Sequence, residues 1–523
     1  MIYDVAIIGA GHNGLITASY LAQAGKNVVI IEQNPFPGGA AVTSEVFKGF
    51  KYSVFSYAVS LLSPQIIKEL ELNKNGLEIL PLKSTFTPLN DNKYLLRTDD
   101  PHQTSIEISK YSQHDASNYP KFLLMMSKMA EAIKPILSMI PPNPWKMKIS
   151  NLAKLLRLSK HAYSLGQDDF YTLLKLMTMS ASSFLDEWFE SEPLKGTLAS
   201  SGIIGTFLGP RSPGTAYIML HHYMGELDGK YRTWGIPKGG MGAISDAIER
   251  TAVKYGTKLY YSSKVVRINC EQNIAKSITL SDGKNILAKQ IASSLDPHYT
   301  FLNLIDKSHL PQDFLNNIKS YKIQGSSGKI NLSLDSLPTF KCLPHNGQHL
   351  KGAISISPSV SYLENAYDEA KNGYISSEPY LDILIPSTLD SSISPPNKHV
   401  MSIFVQYAPY YLKNGWGVTE KNKLTENVIS TLERYVPNIR SIILHKQTLT
   451  PLDIERKIGM TQGNIFHGEL TPHQLFFMRP TIGYGDYKTP IKGLFICGSG
   501  SHPGGGVSGY PGRNAAKTIL ANS

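Results

Sequence analysis

Residues 4–32 carry an apolar run, a glycine fingerprint, a helical stretch and a second apolar run, an order that leaves few folds open. Residues 5–8 read as a buried parallel strand that breaks at Gly9-x-Gly11-x-x-Gly14. The glycines open an amphipathic helix to about Ala24, Gly25 stops it, and residues 28–32 form the next strand, ending on Glu32. Each glycine has a physical reason. Gly9 makes the tight turn, Gly11 lets the backbone approach a pyrophosphate, and Gly14 permits close packing of helix on strand. A diphosphate would sit on the helix N-terminus, where unpaired N–H groups and the helix dipole favour anions. Glu32, with Gln33 beside it, is placed to accept hydrogen bonds from an adenosine ribose. The expectation is a dinucleotide-binding unit.

The chain has 523 residues, more than one typical core holds, so two intimately joined domains are expected. Apolar residues make up 41% and charged residues 18%, which argues against long disorder. Cys270, Cys342 and Cys497 lie far apart with no C-x-x-C pair. That spacing excludes a dithiol redox centre and a thiolate metal site and fits a reducing compartment. No secretory signal precedes the first strand and no apolar stretch reaches transmembrane length, so a cytoplasmic location is expected. The formal charge of +11 favours anionic surfaces, but no nucleic-acid-binding motif accompanies it and no nucleic-acid partner is expected.

The strand–helix–strand opening is interrupted. Residues 47–57 read as a loop and aromatic region, followed by mixed helical and strand patterns to about residue 230. Nucleotide-domain signals return at 237–242, then a helix over 243–255 and strands around 258–268 and 277–280. Asp282-Gly283 reads as a hairpin turn before a strand at 289–294. A second foreign block holds alternating stretches at 329–334 and 400–407, which predict an antiparallel sheet exposed on one face. Residues 493–498 form a last buried strand, leading through a glycine-dense turn into a helix over 512–520. The nucleotide domain is therefore assembled from residues 1–75, 231–296 and 451–523, with a substrate domain inserted as 76–230 and 297–450.

Gly38-Gly39 follows Glu32 by six residues. Alone it is equally a turn after Pro37 or a bare backbone for a larger cofactor's diphosphate and ribityl chain. The C-terminal stretch from Cys497 to Ala516 decides between them, because six glycines between Gly498 and Gly509 cannot belong to a stable helix or strand. A strand end this bare suits close approach to a flat ring and its polyol tail. Amides near residues 507–512, at a helix start, would stabilise negative charge on a reduced isoalloxazine.

Together these motifs resemble the phytoene desaturase and amine oxidase superfamily of flavoproteins. Residues 11–15, 38–43, 52–57, 463–469, 475–480 and 498–516 look like one branch, that of pyridine nucleotide-disulphide oxidoreductase domain-containing protein 2 and its bacterial relatives. The resemblance implies bound FAD and an α/β class: a Rossmann-like, glutathione reductase-type FAD domain in three segments with a doubly inserted α+β substrate domain. It implies cofactor contacts from Gly9, Gly11, Gly14, Glu32, Gln33, Gly38, Gly39, Ala40, Ala41, Gly498, Ser499, Gly506, Val507 and Gly509. The strand at Val265 and Val266 would offer backbone contacts to adenine, or is plain β core. Two positions depart from the superfamily pattern: Gly498-Ser499 stands where many members have Gly-Asp, and Ala40-Ala41 where many carry a basic residue. No second strand–GxGxxG–helix unit for a nicotinamide cofactor is evident, so oxygen or a quinone is the expected electron acceptor.

The candidate catalytic residues are His502 and Tyr510, in the glycine turn, and His222. His502 would relay a proton or anchor the loop. His221 and His222 follow an apolar run and, on a strand, would point apart. His467 and Arg479 would line the interface, Arg479 as a buried structural pair. Cys497, conceivable as a covalent flavin attachment point, ends a buried strand. Between Ala132 and Gln167 there is no acidic residue, and Lys146, Lys148, Lys154, Arg157 and Lys160 interleave with Ile149, Leu152, Leu155, Leu156 and Tyr163. Residues 146–163 would thus either rest on the inner face of an anionic membrane or form an ordinary substrate-domain helix with a solvated basic face. The function expected is an FAD-dependent dehydrogenase or desaturase of a small, lipophilic or amine-bearing substrate. The alternatives are a flavin-dependent isomerase or saturase, and a binding module like the GTPase dissociation inhibitors, which Glu32 and the glycine turn disfavour.

Overall fold

Alternate residues of the first strand supply two different cores. Val5 and Ile7 pack with the helices on one side of a sheet, whereas Ala6 and Ile8 pack on the other. A strand buried on both faces needs a continuous apolar run rather than an alternating one, and residues 5–8 provide it. The computed structural model describes residues 2–143, 149–227 and 229–523.

This seven-stranded sheet runs Lys258–Tyr260, Val28–Ile31, Ile2–Ile8, Asn285–Ser293, Ile274–Leu280, Val265–Glu271, with Leu494–Ile496 added against the end of Asn285–Ser293. Strand Asn285–Ser293 lies parallel to Ile2–Ile8 along its length. Its first residues also pair antiparallel with Ile274–Leu280, and its last residues pair parallel with Leu494–Ile496. Helices His12–Gln23, Gly242–Lys254 and Tyr510–Leu520 share one core against the sheet. Three distant stretches of chain therefore build one Rossmann-like α/β layer.

A second seven-stranded sheet runs Ile443–Leu449, Ser327–Leu334, His399–Gln406, Tyr380–Leu384, Ala353–Ile356, Ser84–Pro88, Tyr94–Thr98. All its pairings are antiparallel except Ala353–Ile356 with Ser84–Pro88. Helix Val418–Glu433 covers one face through Leu424, Val428 and Leu432, which meet Ile330, Leu332, Ile383, Met401 and Ile403. A helical region that includes Gln113–Leu137 and Thr215–Tyr223 packs beside it around Phe122, Met126 and Phe184.

Three expectations are corrected here. The sheet of Ser327–Leu334 and His399–Gln406 is not exposed on one face; both strands are buried almost throughout. Its polar face turns inward onto a cleft, so alternation marks a face that meets ligand rather than bulk water. Residues 47–57 are not simply loop, because Thr43–Phe47 and Phe50–Ser53 form a hairpin. His221 and His222 lie on helix Thr215–Tyr223, every residue of which is buried. An all-apolar run does not separate a buried helix from a buried strand, and Gly214, in the left-handed region at φ +86°, starts the helix.

Candidate functional site

A long cleft opens between the two sheets and is lined from both. At one end lies the glycine fingerprint. Gly9 has φ +92°, and a Cβ there would come within 2.6 Å of Ser294 Oγ. A Cβ on Gly14 would strike the carbonyl oxygen of Gly9, whereas one on Gly11 would meet nothing within 4 Å and would project into open space. That space lies at the N-terminus of helix His12–Gln23, which has no side-chain cap. Gly38 donates its N–H to the Ala10 carbonyl at 2.9 Å, and a Cβ on Gly39 would come within 3.3 Å of Gly11 Cα. The two glycine motifs thus form one backbone cradle beside uncapped helix amides, which suits a diphosphate. The Glu32 carboxylate is held at its rim, accepting the N–H groups of Ala10 at 2.8 Å and Asn34 at 2.9 Å.

The cleft contains buried polar atoms with no partner: His12 Nε2, Asn13 Oδ1, Ser60 Oγ and His467 Nδ1. Such atoms cost free energy unless a ligand satisfies them. Several of them in one cleft fit an extended polar cofactor of the FAD type. Ser499, standing where the superfamily pattern has Asp, lines the cleft and takes a hydrogen bond from Asn13 Nδ2 at 3.1 Å.

Of the residues expected to contact cofactor, Gly9, Gly11, Glu32, Gln33, Gly38, Gly39, Ala40, Ser499, Gly506 and Val507 line the cleft. Five do not. Gly14 packs under Gly9, Gly498 backs onto the Ser294 carbonyl, and Gly509 lies against Ile16 and Ile66. The buried Ala41 gives its carbonyl to Ser245 Oγ. The Val266 side chain is 42% exposed, while its strand neighbour Val265 lines the cleft, which puts the expected Val265–Val266 strand at the cleft wall.

The catalytic candidates also separate. His222 lines the cleft, stacked on Trp234 with ring centroids 6.0 Å apart, and its Nδ1–H donates to the Ile218 carbonyl at 2.9 Å. Burial lowers it to about 4, so it is neutral. His502 and Tyr510 do not line the cleft. The glycine turn directs the buried His502 ring away from the cleft, where Nε2–H donates at 2.9 Å to the Ile136 carbonyl near the end of Gln113–Leu137. Tyr510 is buried in the core of the helical region. His502 is an anchor in this geometry. Cys497 is fully buried among the helices and sheet of the nucleotide layer, and burial raises its thiol to about 12. Arg479 is also fully buried, and its guanidinium donates to the carbonyls of Phe466, Gly468, Glu469, Gln474 and Ser499 rather than to a carboxylate.

The residues missed by sequence reasoning lie on the inner face of the second sheet. Lys329, Phe404 and Asp382 are in register on three adjacent strands, and all three line the cleft. Tyr57 donates its O–H to Asp382 Oδ2 at 2.7 Å, and Lys329 Nζ sits 4.3 Å from the centre of the Tyr57 ring while bonding to Ser402 Oγ. Burial pulls the Lys329 ammonium well below its ordinary value. Burial raises Asp382 to about 6, against the opposing effects of the Tyr57 hydrogen bond and Lys329. The only signal in the sequence was a lysine in an alternating strand, which reads as solvent-facing until the partner layer is known.

The model of the flavin containing amine oxidoreductase family matches residues 14–519. Pyridine nucleotide-disulfide oxidoreductase domain-containing protein 2 of Mus musculus is 39% identical over 545 residues, covering 99% of this chain and 93% of its own. A limonene dehydrogenase component of Castellaniella defragrans is 26% identical, covering 99% and 94%. The solved structure of an oxidoreductase from Methanosarcina mazei shares the fold with a TM-score of 0.61 at 16% identity, over 99% of both chains.

Proposed function

The chain belongs to the flavin containing amine oxidoreductase family, and on that premise we propose that it removes two hydrogens from an apolar donor held over Lys329 and Asp382. It is an FAD-dependent oxidoreductase. FAD, when bound, takes up a hydride equivalent from the donor. The second hydrogen leaves as a proton, and Lys329, whose ammonium form is disfavoured by burial, is the group placed to accept it. The Asp382 carboxylate then stands near the resulting ammonium on the same sheet face, two strands away, and Tyr57 fixes its orientation. This buried lysine on the cleft face is the observation that carries the reading. Leu82, Ile204, Trp234, Leu384 and Phe404 give the same cleft an apolar lining suited to a lipophilic donor. A relative named for a dehydrogenase of limonene accords with that.

Oxygen or a quinone is the proposed electron acceptor. The other glycine-rich helix start has its amides already engaged: Gly239 N–H bonds Asp390, Met241 N–H bonds Ser53 and Gly242 N–H bonds Thr43. It has no free cradle for a second dinucleotide.

The purified protein is expected to show the two visible bands of oxidised flavin and to release them into the supernatant on acid precipitation. A Gly14→Val variant should lose them, since the added side chain collides with the Gly9 carbonyl beneath the diphosphate cradle. A colourless wild type that takes up no added FAD would overturn the reading.

We also propose that helix Ile149–Ser164 rests on an anionic lipid surface, from which a lipophilic donor would enter. Its outer face exposes Ile149 by 89%, Leu156 by 62% and Tyr163 by 89%, with Arg157 and Lys160 among them. Residues 146–148 of the expected segment lie outside the described residues. No helix among the described residues is long and apolar enough to cross a membrane. Co-sedimentation with vesicles containing phosphatidylserine, absent with phosphatidylcholine alone and lost in a Leu156→Glu/Tyr163→Glu variant, is the expected result.

A further inference from the structure

Two arginines converge at the far edge of the cleft, away from Lys329. Arg97 lies on the edge strand Tyr94–Thr98 and is 5% exposed, and Arg232 lies on the loop before Trp234. Both line the cleft. Both donate to the same oxygen, Tyr119 Oη, at 3.3 and 3.1 Å. Arg232 also lies over the Tyr223 ring, 4.6 Å from its centre.

What they lack is a counter-ion. The groups that act on either guanidinium are phenols and the other guanidinium, with no carboxylate among the described residues. Arg97 Nε and Tyr223 Oη are buried without a hydrogen-bond partner. Tyr119 accepts twice and retains its own hydrogen to donate. Burial alone would raise the Tyr119 phenol, yet the two guanidiniums bring it down to about 8. Arg232 holds a left-handed backbone at φ +59°, a strain that side chains other than glycine rarely accept without a reason in the site. A buried and a half-buried cation that share only phenol partners are costly unless an anion completes them.

The path from this pair to the reactive end is open. Along the inner face of the sheet the row reads Asp382, Ser355 and Ala353, Thr85, Arg97, on four adjacent strands. The intervening side chains are small and line the cleft, and three strand spacings separate the ends, about 14 Å.

We propose that the cleft selects a donor with a terminal anionic group, carboxylate or phosphate, which docks between Arg97 and Arg232 while its apolar body lies over Ser355, Ala353 and Thr85 towards Asp382 and Lys329. The inference rests on the oxidoreductase reading and adds the substrate class. The guanidinium forks match either anion through paired N–H donors. Tyr119 supplies a further donor.

The test uses the full-length FAD-loaded protein and four probes of one chain length below their micelle concentrations: dodecanoate, dodecyl phosphate, dodecanol and dodecylamine. Binding is read from the perturbation of the flavin absorption bands. At least one anion is expected to bind tenfold or more tightly than dodecanol and dodecylamine, and the preference between the two anions names the group. Arg97→Gln and Arg232→Gln should each weaken the anion at least tenfold and leave dodecanol unchanged, with Arg97→Lys intermediate. The inference is overturned if dodecanol matches the anions, if none of the probes binds, or if the arginine variants bind the anion as wild type does. If Arg97→Gln does not fold, the wild-type ratio of anion to alcohol and the Arg232→Gln variant decide. Flavin bands retained with no anion preference would sink this inference alone, whereas a protein without flavin would sink the oxidoreductase reading beneath it.

Discussion

Arg479→Leu is expected to cost at least about 3 kcal/mol of stability and to strip the protein of FAD. The side chain is fully buried, and its guanidinium holds separate pieces of chain together. One side bonds the carbonyls of Phe466 and Gly468 at 3.0 and 3.1 Å, another the carbonyl of Glu469 at 3.0 Å, and both Nε and Nη2 reach the carbonyl of Ser499. Ser499 begins the glycine turn, so the arginine ties that turn to the 466–469 segment, and His467 of that segment lines the cleft. Leucine would leave the carbonyls of Phe466, Gly468 and Ser499 buried without that donor, and each unsatisfied acceptor costs on the order of 1–3 kcal/mol. Lysine would restore the charge but not the planar fork, so Arg479→Lys should fall between the two. The check is denaturant unfolding of each variant, alongside the flavin-to-protein absorbance ratio. A leucine variant as stable as wild type and fully loaded with FAD would show that the guanidinium does not hold the turn.

The nucleotide layer was legible because its constraints are local. Gly9, Gly11 and Gly14 stand at fixed spacing between two apolar runs, and their reasons, a turn, an approach and a close packing, act within a few residues. The same holds for Gly38-Gly39 and the C-terminal glycine turn. The reactive end was illegible because it is made by register between distant strands. Lys329, Phe404 and Asp382 are brought into one row by two antiparallel pairings, and no spacing in the chain announces it. Arg97 and Arg232 meet on one phenol from separate elements in the same way. For His502 the sequence left two roles open, proton relay or loop anchor, because proximity to the glycine turn does not say where the ring points; the ring lies on a helix carbonyl, the geometry of an anchor. At Val265 and Val266 strand alternation puts the two side chains on opposite faces, and only Val265 lines the cleft.

Lys329→Met is expected to keep FAD and yet slow flavin bleaching by any donor the wild type accepts by about 100-fold or more, the usual size of a lost proton transfer. The choice of a neutral lysine as the base can be tested without a donor, through Asp382. Its folded pKa, about 6, lies above the ordinary carboxylate value of 3.8, because burial penalises the charged form more than Tyr57 and Lys329 favour it. A raised pKa means that the folded state holds the proton more tightly than the unfolded one. The associated stabilisation is complete below about pH 4 and is lost as pH rises through about 6, on the order of 3 kcal/mol in all. Asp382→Asn removes that loss. Relative to wild type, it should gain stability at about pH 7.5 compared with about pH 4, measured as the difference in Tm at the two values. The opposite sign has a definite meaning. Were Lys329 a buried ammonium paired with an ionised Asp382, the asparagine variant would strand an uncompensated charge and lose about 3–5 kcal/mol at neutral pH. A Tm that falls most at neutral pH in Asp382→Asn would therefore replace the lysine base with a fixed ion pair, and Lys329 would then hold the donor rather than take its proton.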